Sequence, residues 1–282
     1  MPVKAVQQFM LGTVMNKEAQ ARETMEKMKA AGYDGIELCG FMIHPSSFLV
    51  KMMTKAAGMS VGNGGKLDWP RLVRESGLKV VSIHQDLGSI ERDFASVAKE
   101  ANTFGTDKIV ITGMYRFAYG ETEAVKKLCE RLNRAGKALR AEGISLLYHN
   151  HNCEFLKNAS GKNAYQILLE ETDPSAVNFE FDSYWCAECG ENPLAVMDAL
   201  GSRMKLWHIN DRGTRQTGPC MTPIVKSDSM ELGYGAMPLE ALSEKAGALG
   251  VEAVILESHR NWIEKSPVKS FEKSAVFMRE HF

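Results

Sequence analysis

Along the chain, amphipathic stretches that end at a glycine are followed, two or three residues later, by short and almost uninterrupted apolar runs. The junction recurs as AAGYDGIEL at Gly32, ESGLKVVSI at Gly77, TFGTDKIVI at Gly105, AEGISLLY at Gly143, ALGSRMKLWHI at Gly201 and ALGVEAVILE at Gly250. Glycine suits the left-handed position just past a helix end, and the β-rich runs after it read as strands buried on both faces. A seventh junction, ETDPSAVNFEF, stops its helix with Asp173 and Pro174 instead. The clearest helix lies between Glu121 and Ala141, where Val125, Leu128, Cys129, Leu132, Ala135 and Leu139 recur at three- and four-residue spacing. Val3 to Phe9, ahead of a first helix from about Lys17, supplies an eighth strand. Eight strands alternating with helices predict a single parallel β/α barrel spanning 1–282. A doubly wound sheet reads alike over any three units, and the strand count favours the barrel. Two long excursions, Ile43 to Asp68 and Gly213 to Gly235, read as lids or binding segments.

Composition narrows the function classes. With 44% hydrophobic and 24% charged residues the chain buries a large core. Its 34 basic and 35 acidic side chains leave a net charge of −1, which supplies no field for nucleic acid or an anionic membrane. Apolar runs such as Ala253 to Leu256 fall far short of the roughly 20 residues of a membrane span, and MPVKAVQQFMLG lacks a signal-peptide core. A cytoplasmic protein without membrane or nucleic-acid partners is expected. The six cysteines make no disulfide framework; Cys186 and Cys189 form a lone CxxC, read either as a metal or redox pair or as two small, partly buried thiols.

In a β/α barrel, chemistry collects at the carboxyl ends of the strands, and here polar residues follow the apolar runs. The second run ends in Glu37, the third in His84, and the fifth in Tyr148-His149-Asn150-His151-Asn152-Cys153-Glu154. The sixth ends in Glu180 and Asp182, the seventh in His208, Asn210 and Asp211, and the eighth in Glu257. Burying such groups costs several kcal/mol each unless they are paired or metal-bound. Glu154, Asp182, His208 and Glu257 come from four successive strands and are candidate ligands of one divalent cation, Mn²⁺, Mg²⁺, Co²⁺ or Zn²⁺. Separate structural salt bridges are the alternative. His149 and His151 share strand parity and are candidate acid/base groups, unless one of them binds the metal, and Glu154 and Glu257 are candidate catalytic residues as well as ligands. A base beside a metal-held carbonyl would abstract a proton from the adjacent carbon, the cation stabilising the enediolate. Glu37, His84, Trp185, Asn210 and Arg212 are candidate substrate contacts. Trp207 and Trp262 either face a sugar or wall the core, and Lys226 in the seventh loop either meets an anion or is solvated.

The ordered set GYDGIEL, VVSIH, YHNHNCEF, FEFDSYW, WHINDR, ELGYGAMPLEAL and VILES resembles the sugar phosphate isomerase/epimerase superfamily with its xylose isomerase-like TIM barrel. The likeness runs from about Gly32 to the last helix. It implies a metal at the barrel mouth held by two glutamates, an aspartate and a histidine, onto which Asp182, His208 and Glu257 fall directly. Strand five departs from the ketose 3-epimerase branch, because Tyr148 stands where a metal-binding carboxylate belongs and only Glu154 follows. Its YHNH form looks more like members acting on inososes or 3-keto-sugars by dehydration or β-elimination. The resemblance therefore implies a carbohydrate isomerase or epimerase, with a lyase as the alternative, and a homo-oligomer. The related endonuclease IV barrel suggests a nuclease, but that chemistry needs more histidines than these seven and a basic groove. A barrel that keeps the fold as a non-catalytic partner subunit is a third reading.

Overall fold

Each apolar run that follows a helix stop is a strand. The computed structural model describes residues 1–45, 52, 64–158, 161–216 and 218–282, so most of the Ile43 to Asp68 excursion lies outside the described residues. The barrel strands are β1 (Val3–Gln7), β2 (Gly35–Cys39), β3 (Lys79–Gln85), β4 (Lys108–Thr112), β5 (Ser145–His149), β6 (Val177–Asp182), β7 (Met204–Ile209) and β8 (Ala253–Leu256). Helices of eight residues or more alternate with them: α1 (Glu18–Ala31), α2 (Trp69–Ser76), α3 (Phe94–Phe104), α4 (Thr122–Ala141), α5 (Ala164–Glu171), α6 (Pro193–Leu200), α7 (Leu239–Leu249) and α8 (Pro267–His281). The strands close in the order β1-β8-β7-β6-β5-β4-β3-β2. This is the expected closed parallel barrel. Strands such as β2 and β8 are buried at every residue, as a sheet covered on both faces requires.

The junction chemistry works as its composition suggests. Gly32 and Gly77 take φ of +99° and +67°, a left-handed stop that side-chain-bearing residues avoid. Gly201 differs: α6 ends at Leu200, and Gly201–Arg203 form a 3-10 turn before β7. The chain's first strand is shorter than Val3 to Phe9, since Gln8–Leu11 already turn as a 3-10 helix.

Two compact units make up the chain. One comprises Met1–Val80, Ile209–Glu244 and Val254–Phe282. There β1 and β2 pair in parallel, and Tyr33 on the way into β2 donates its hydroxyl proton to the Phe271 carbonyl of α8. A two-stranded antiparallel ribbon, Asp211–Gly213 with Asp228–Met230, follows β7. Asp211 accepts backbone N–H bonds from Arg212, Gly233, Gly235 and Met237. A Cβ on Gly235 would sit 2.3 Å from Asp211 Oδ1, which explains the glycine in ELGYGAM.

The other unit comprises Val81–His208 and Lys245–Ala253. Its β4, β5, β6 and β7 pair in sequence, with α4 presenting the buried stripe of Val125, Leu128, Cys129, Leu132, Ala135 and Leu139. At the start of β7 the Arg203 guanidinium binds the carbonyls of Leu169 and Val177 and the Thr172 hydroxyl, over the Phe179 ring. Among the described residues no helix is long and apolar enough to cross a membrane.

Candidate metal centre

Register places the site's central residues. His149 stands opposite Glu180 across β5 and β6, and Asp182 stands opposite His208 across β6 and β7. Glu180 and Asp182 are two apart on β6 and therefore share a face. His84, from β3, reaches the same place: its Nε2 is 2.9 Å from Glu180 Oε2, although β4 and β5 lie between their strands. These side chains consequently meet on the inner face of the strands.

Glu180 is the hub, and it is fully buried. Its Oε2 faces His84 Nε2 at 2.9 Å, His149 Nδ1 at 3.1 Å and His208 Nε2 at 3.2 Å. Burial opposes its ionisation, yet the imidazoles of His208, His84 and His149 hold the carboxyl well below the usual carboxylate range. On the other side of its ring, His208 Nδ1 is 3.9 Å from Asp182 Oδ2. Ligand atoms of His149, Asp182 and His208 lie within 4.8 Å of one another, as do those of His84, Glu180 and His208. One buried atom at the centre, Glu180 Oε1, has no hydrogen-bond partner, and the 3.1 Å approach of His149 Nδ1 to Oε2 is an ion-pair contact without hydrogen-bond geometry. Buried imidazoles and carboxylates gathered around an unpartnered carboxylate oxygen suit a divalent cation, and a carboxylate that fixes the far nitrogen of a histidine is the usual support for a metal-binding imidazole.

The backbone under this cluster is pinned. Asn150, fully buried, donates to the Asp182 carbonyl and accepts from the Asp182 N–H, both at 3.0 Å. Asp182 also accepts the Trp185 N–H through Oδ1, capping the short helix Ser183–Glu188. Trp185 and His151 are half-buried; the His151 ring lies 4.9 Å from that of His149 and 6.1 Å from that of Trp185.

Glu154 takes a different position from the rest. Its carboxylate is buried and accepts from the Tyr148 hydroxyl, the His151 N–H and the Cys153 thiol. Among the described residues it does not fall in either group of candidate ligands. In the first unit, Glu37 lies within β2 and accepts from Gln7 Nε2, and Glu257 follows β8 with its N–H donated to the Ile209 carbonyl, the residue after His208. Asn210 is turned to Ser229 and to the Asp211 N–H, while Arg212 lies half-buried on the ribbon. Trp207 is a core residue whose indole N–H binds Ser183; Trp262 binds the Ser258 carbonyl, and Lys226 is exposed. Cys186 is buried, whereas Cys189 is exposed and donates to the Asn152 carbonyl. Sequence reasoning gave Glu180 no role, although its parity with Asp182 in NFEFD was the available signal.

Residues 25–281 match the family model described as xylose isomerase-like TIM barrel. The chain belongs to that family. Within reach of this family's sequences, it is 26% identical over 139 residues to an inosose dehydratase of Clostridium beijerinckii, a stretch covering 49% of this chain and 41% of that protein. It thus spans less than half the length of the curated relatives it matches. Among solved structures it resembles a sugar phosphate isomerase/epimerase from Parabacteroides distasonis, with a TM-score of 0.77 and 22% identity over 99% of this chain and 94% of that one. The IolI protein, whose structure holds a zinc atom, superposes with a TM-score of 0.67 and 15% identity over 99% of each chain. At these identities the two structures share the fold of this family member.

Proposed function

We propose that the protein is a divalent-metal-dependent lyase that removes the elements of water from a keto-sugar or keto-cyclitol. The observation that carries this reading is the buried cluster in which the Glu180 carboxylate faces three imidazoles through Oε2 while its Oε1 has no hydrogen-bond partner. His149, Asp182 and His208 would hold the cation, with Glu257, the carboxylate that follows the last apolar run, as a fourth ligand. The strand-five ligand is then an imidazole, in keeping with Tyr148 occupying the place of a carboxylate. The cation would supply Lewis-acid polarisation of the substrate carbonyl.

The remaining steps belong to the protein's own groups. His151, at the half-buried edge of the cluster, takes the proton from the carbon next to the carbonyl. The carbon–carbon double bond forms as the β C–O bond breaks, and the departing oxygen leaves as water with a proton from His84. No oxidant or reductant is required. Trp185 offers a flat apolar wall beside His151. The name of the Clostridium relative points to the same chemistry.

An isomerase or epimerase would begin with the same proton abstraction and return the proton without losing the β oxygen; the Parabacteroides likeness favours it. Incubation with a keto-inositol or a 3-keto-glucoside in D₂O separates the two. The lyase reading expects an unsaturated product lighter by one water, absent with His151→Ala. Solvent deuterium wash-in or ketose interconversion without that product would replace it by the isomerase reading.

A further inference from the structure

Tyr119, Tyr148 and Glu154, buried polar groups that this mechanism leaves unused, form one connected chain. The Met114 N–H donates to the Tyr119 hydroxyl at 2.7 Å, the Tyr119 and Tyr148 hydroxyls are 3.0 Å apart, and the Tyr148 hydroxyl donates to Glu154 Oε1 at 2.8 Å. Only one polarity satisfies every member. Because the last oxygen is a carboxylate, Tyr148 spends its proton there, so Tyr119 donates to Tyr148 and is left to accept from Met114. Glu154 Oε2 meanwhile accepts the His151 N–H at 2.9 Å and the Cys153 thiol at 3.2 Å. At the end of β4, a Cβ on Gly113 would lie 2.8 Å from the Tyr119 oxygen and 2.9 Å from Glu154 Oε1, so the backbone itself is fitted to the chain.

We infer that Glu154 is a positioning residue that acts through His151: its carboxylate ties the His151 backbone to Tyr148 and so holds the imidazole beside the cluster. His151 lies beyond the last residue of β5, where the barrel ladder no longer fixes the chain, and just before the 3-10 turn Cys153–Phe155. The contact from Glu154 Oε2 to its N–H closes that gap. A carboxylate serves both contacts because each of its oxygens accepts. An amide keeps the acceptor for His151 but presents N–H groups to Tyr148, forcing the hydroxyl chain to reverse. The inference rests on the reading of His151 as the base, and it assigns Glu154 a place outside the metal's ligands.

The test reads the clasp separately from the metal and the reaction. The chain has seven histidines, so labelling histidine alone with ¹⁵N gives a small set of backbone amides, with His151 identified by its loss in His151→Gln. With or without zinc, the His151 amide is expected to exchange slowly, to remain slow in Glu154→Gln, and to exchange about 100-fold faster in Glu154→Leu. Should Glu154→Leu fail to fold, Tyr148→Phe is expected to speed exchange at His151 by about 10-fold, since Glu154 loses one of its anchors. On a keto-inositol, kcat is expected to fall about 100-fold in Glu154→Leu with KM within about threefold, and the Gln variant to recover most of the loss. Zinc stoichiometry is expected to stay at the wild-type value in both. Unchanged exchange at His151 in Glu154→Leu, or loss of zinc in both Glu154 variants, would overturn the inference. A wild-type protein that binds no zinc or turns over no keto-sugar would instead count against the proposed reaction, because exchange at His151 depends on neither.

Discussion

Glu180→Gln isolates what the hub carboxylate contributes. The side chain keeps its shape but loses the charge that faces His84 at 2.9 Å, His149 at 3.1 Å and His208 at 3.2 Å. Removing such a support from metal-binding histidines weakens metal affinity by about 10- to 100-fold. The consequence for stability follows from mass action. At a metal concentration about 100 times the wild-type Kd, binding adds about 2.7 kcal/mol; after a hundredfold loss of affinity the same concentration adds only about 0.4 kcal/mol. For a chain of 282 residues the unfolding entropy near Tm is about 0.6 kcal/mol per kelvin. The metal-induced rise in Tm should therefore drop from about 4–5 °C to below about 1 °C. Calorimetric titration with Mn²⁺ and melting curves with and without Mn²⁺ give both quantities. An unchanged metal affinity, or a metal-induced rise in Tm as large as that of the wild type, would refute the hub role.

Three further expectations concern the fold around the site. Arg203→Ala strips partners from the Leu169 and Val177 carbonyls and from Thr172, and should cost about 2–3 kcal/mol in urea unfolding while leaving metal stoichiometry unchanged. Gly136→Ala should destabilise by about 1–3 kcal/mol although alanine favours helix, because the new Cβ would lie 2.2 Å from the Ala176 carbonyl oxygen; a stabilised variant would show that α4 shifts freely. Burial disfavours the charge of Glu231, but Arg215 and the Ile263 N–H hold its carboxyl below the usual value. Its contribution is then complete above the unfolded carboxyl's pKa, about 4.3, and lost as pH falls further, so Glu231→Gln should flatten the acid limb of a stability profile measured between pH 2 and 7.

The barrel was legible because helix stops and buried strands are local matters. A glycine past a helix end and a β-rich run need no distant partner to be recognised, and α4 begins at Thr122 within the stretch its apolar stripe marks out. Asp182 and His208 were legible for a related reason: in a barrel, whatever ends a strand ends near the mouth. Glu180 was harder, because its role depends on an imidazole from β3 crossing to it, which no spacing within NFEFD reveals. Glu154 shows the limit most clearly. The absence of a carboxylate at Tyr148 was visible in the sequence, but not that the tyrosine hydroxyl itself would take up Glu154. Asp211 looked like another mouth carboxylate, whereas four backbone N–H groups of the ribbon and its following turn consume it. Turns of three residues aim side chains by backbone angles that apolar periodicity does not encode.

The central claim is that His149, Asp182, His208 and Glu257 hold a divalent cation. Its most direct test is metal content by elemental mass spectrometry after incubation with Mn²⁺, Co²⁺, Mg²⁺ or Zn²⁺ and desalting, on wild type beside His149→Ala, Asp182→Ala and Glu257→Ala. The account predicts about one ion per chain for at least one of these metals, lost in all three variants whose circular dichroism matches wild type. No retained metal in the wild type, or an ion that survives all three substitutions, would contradict it.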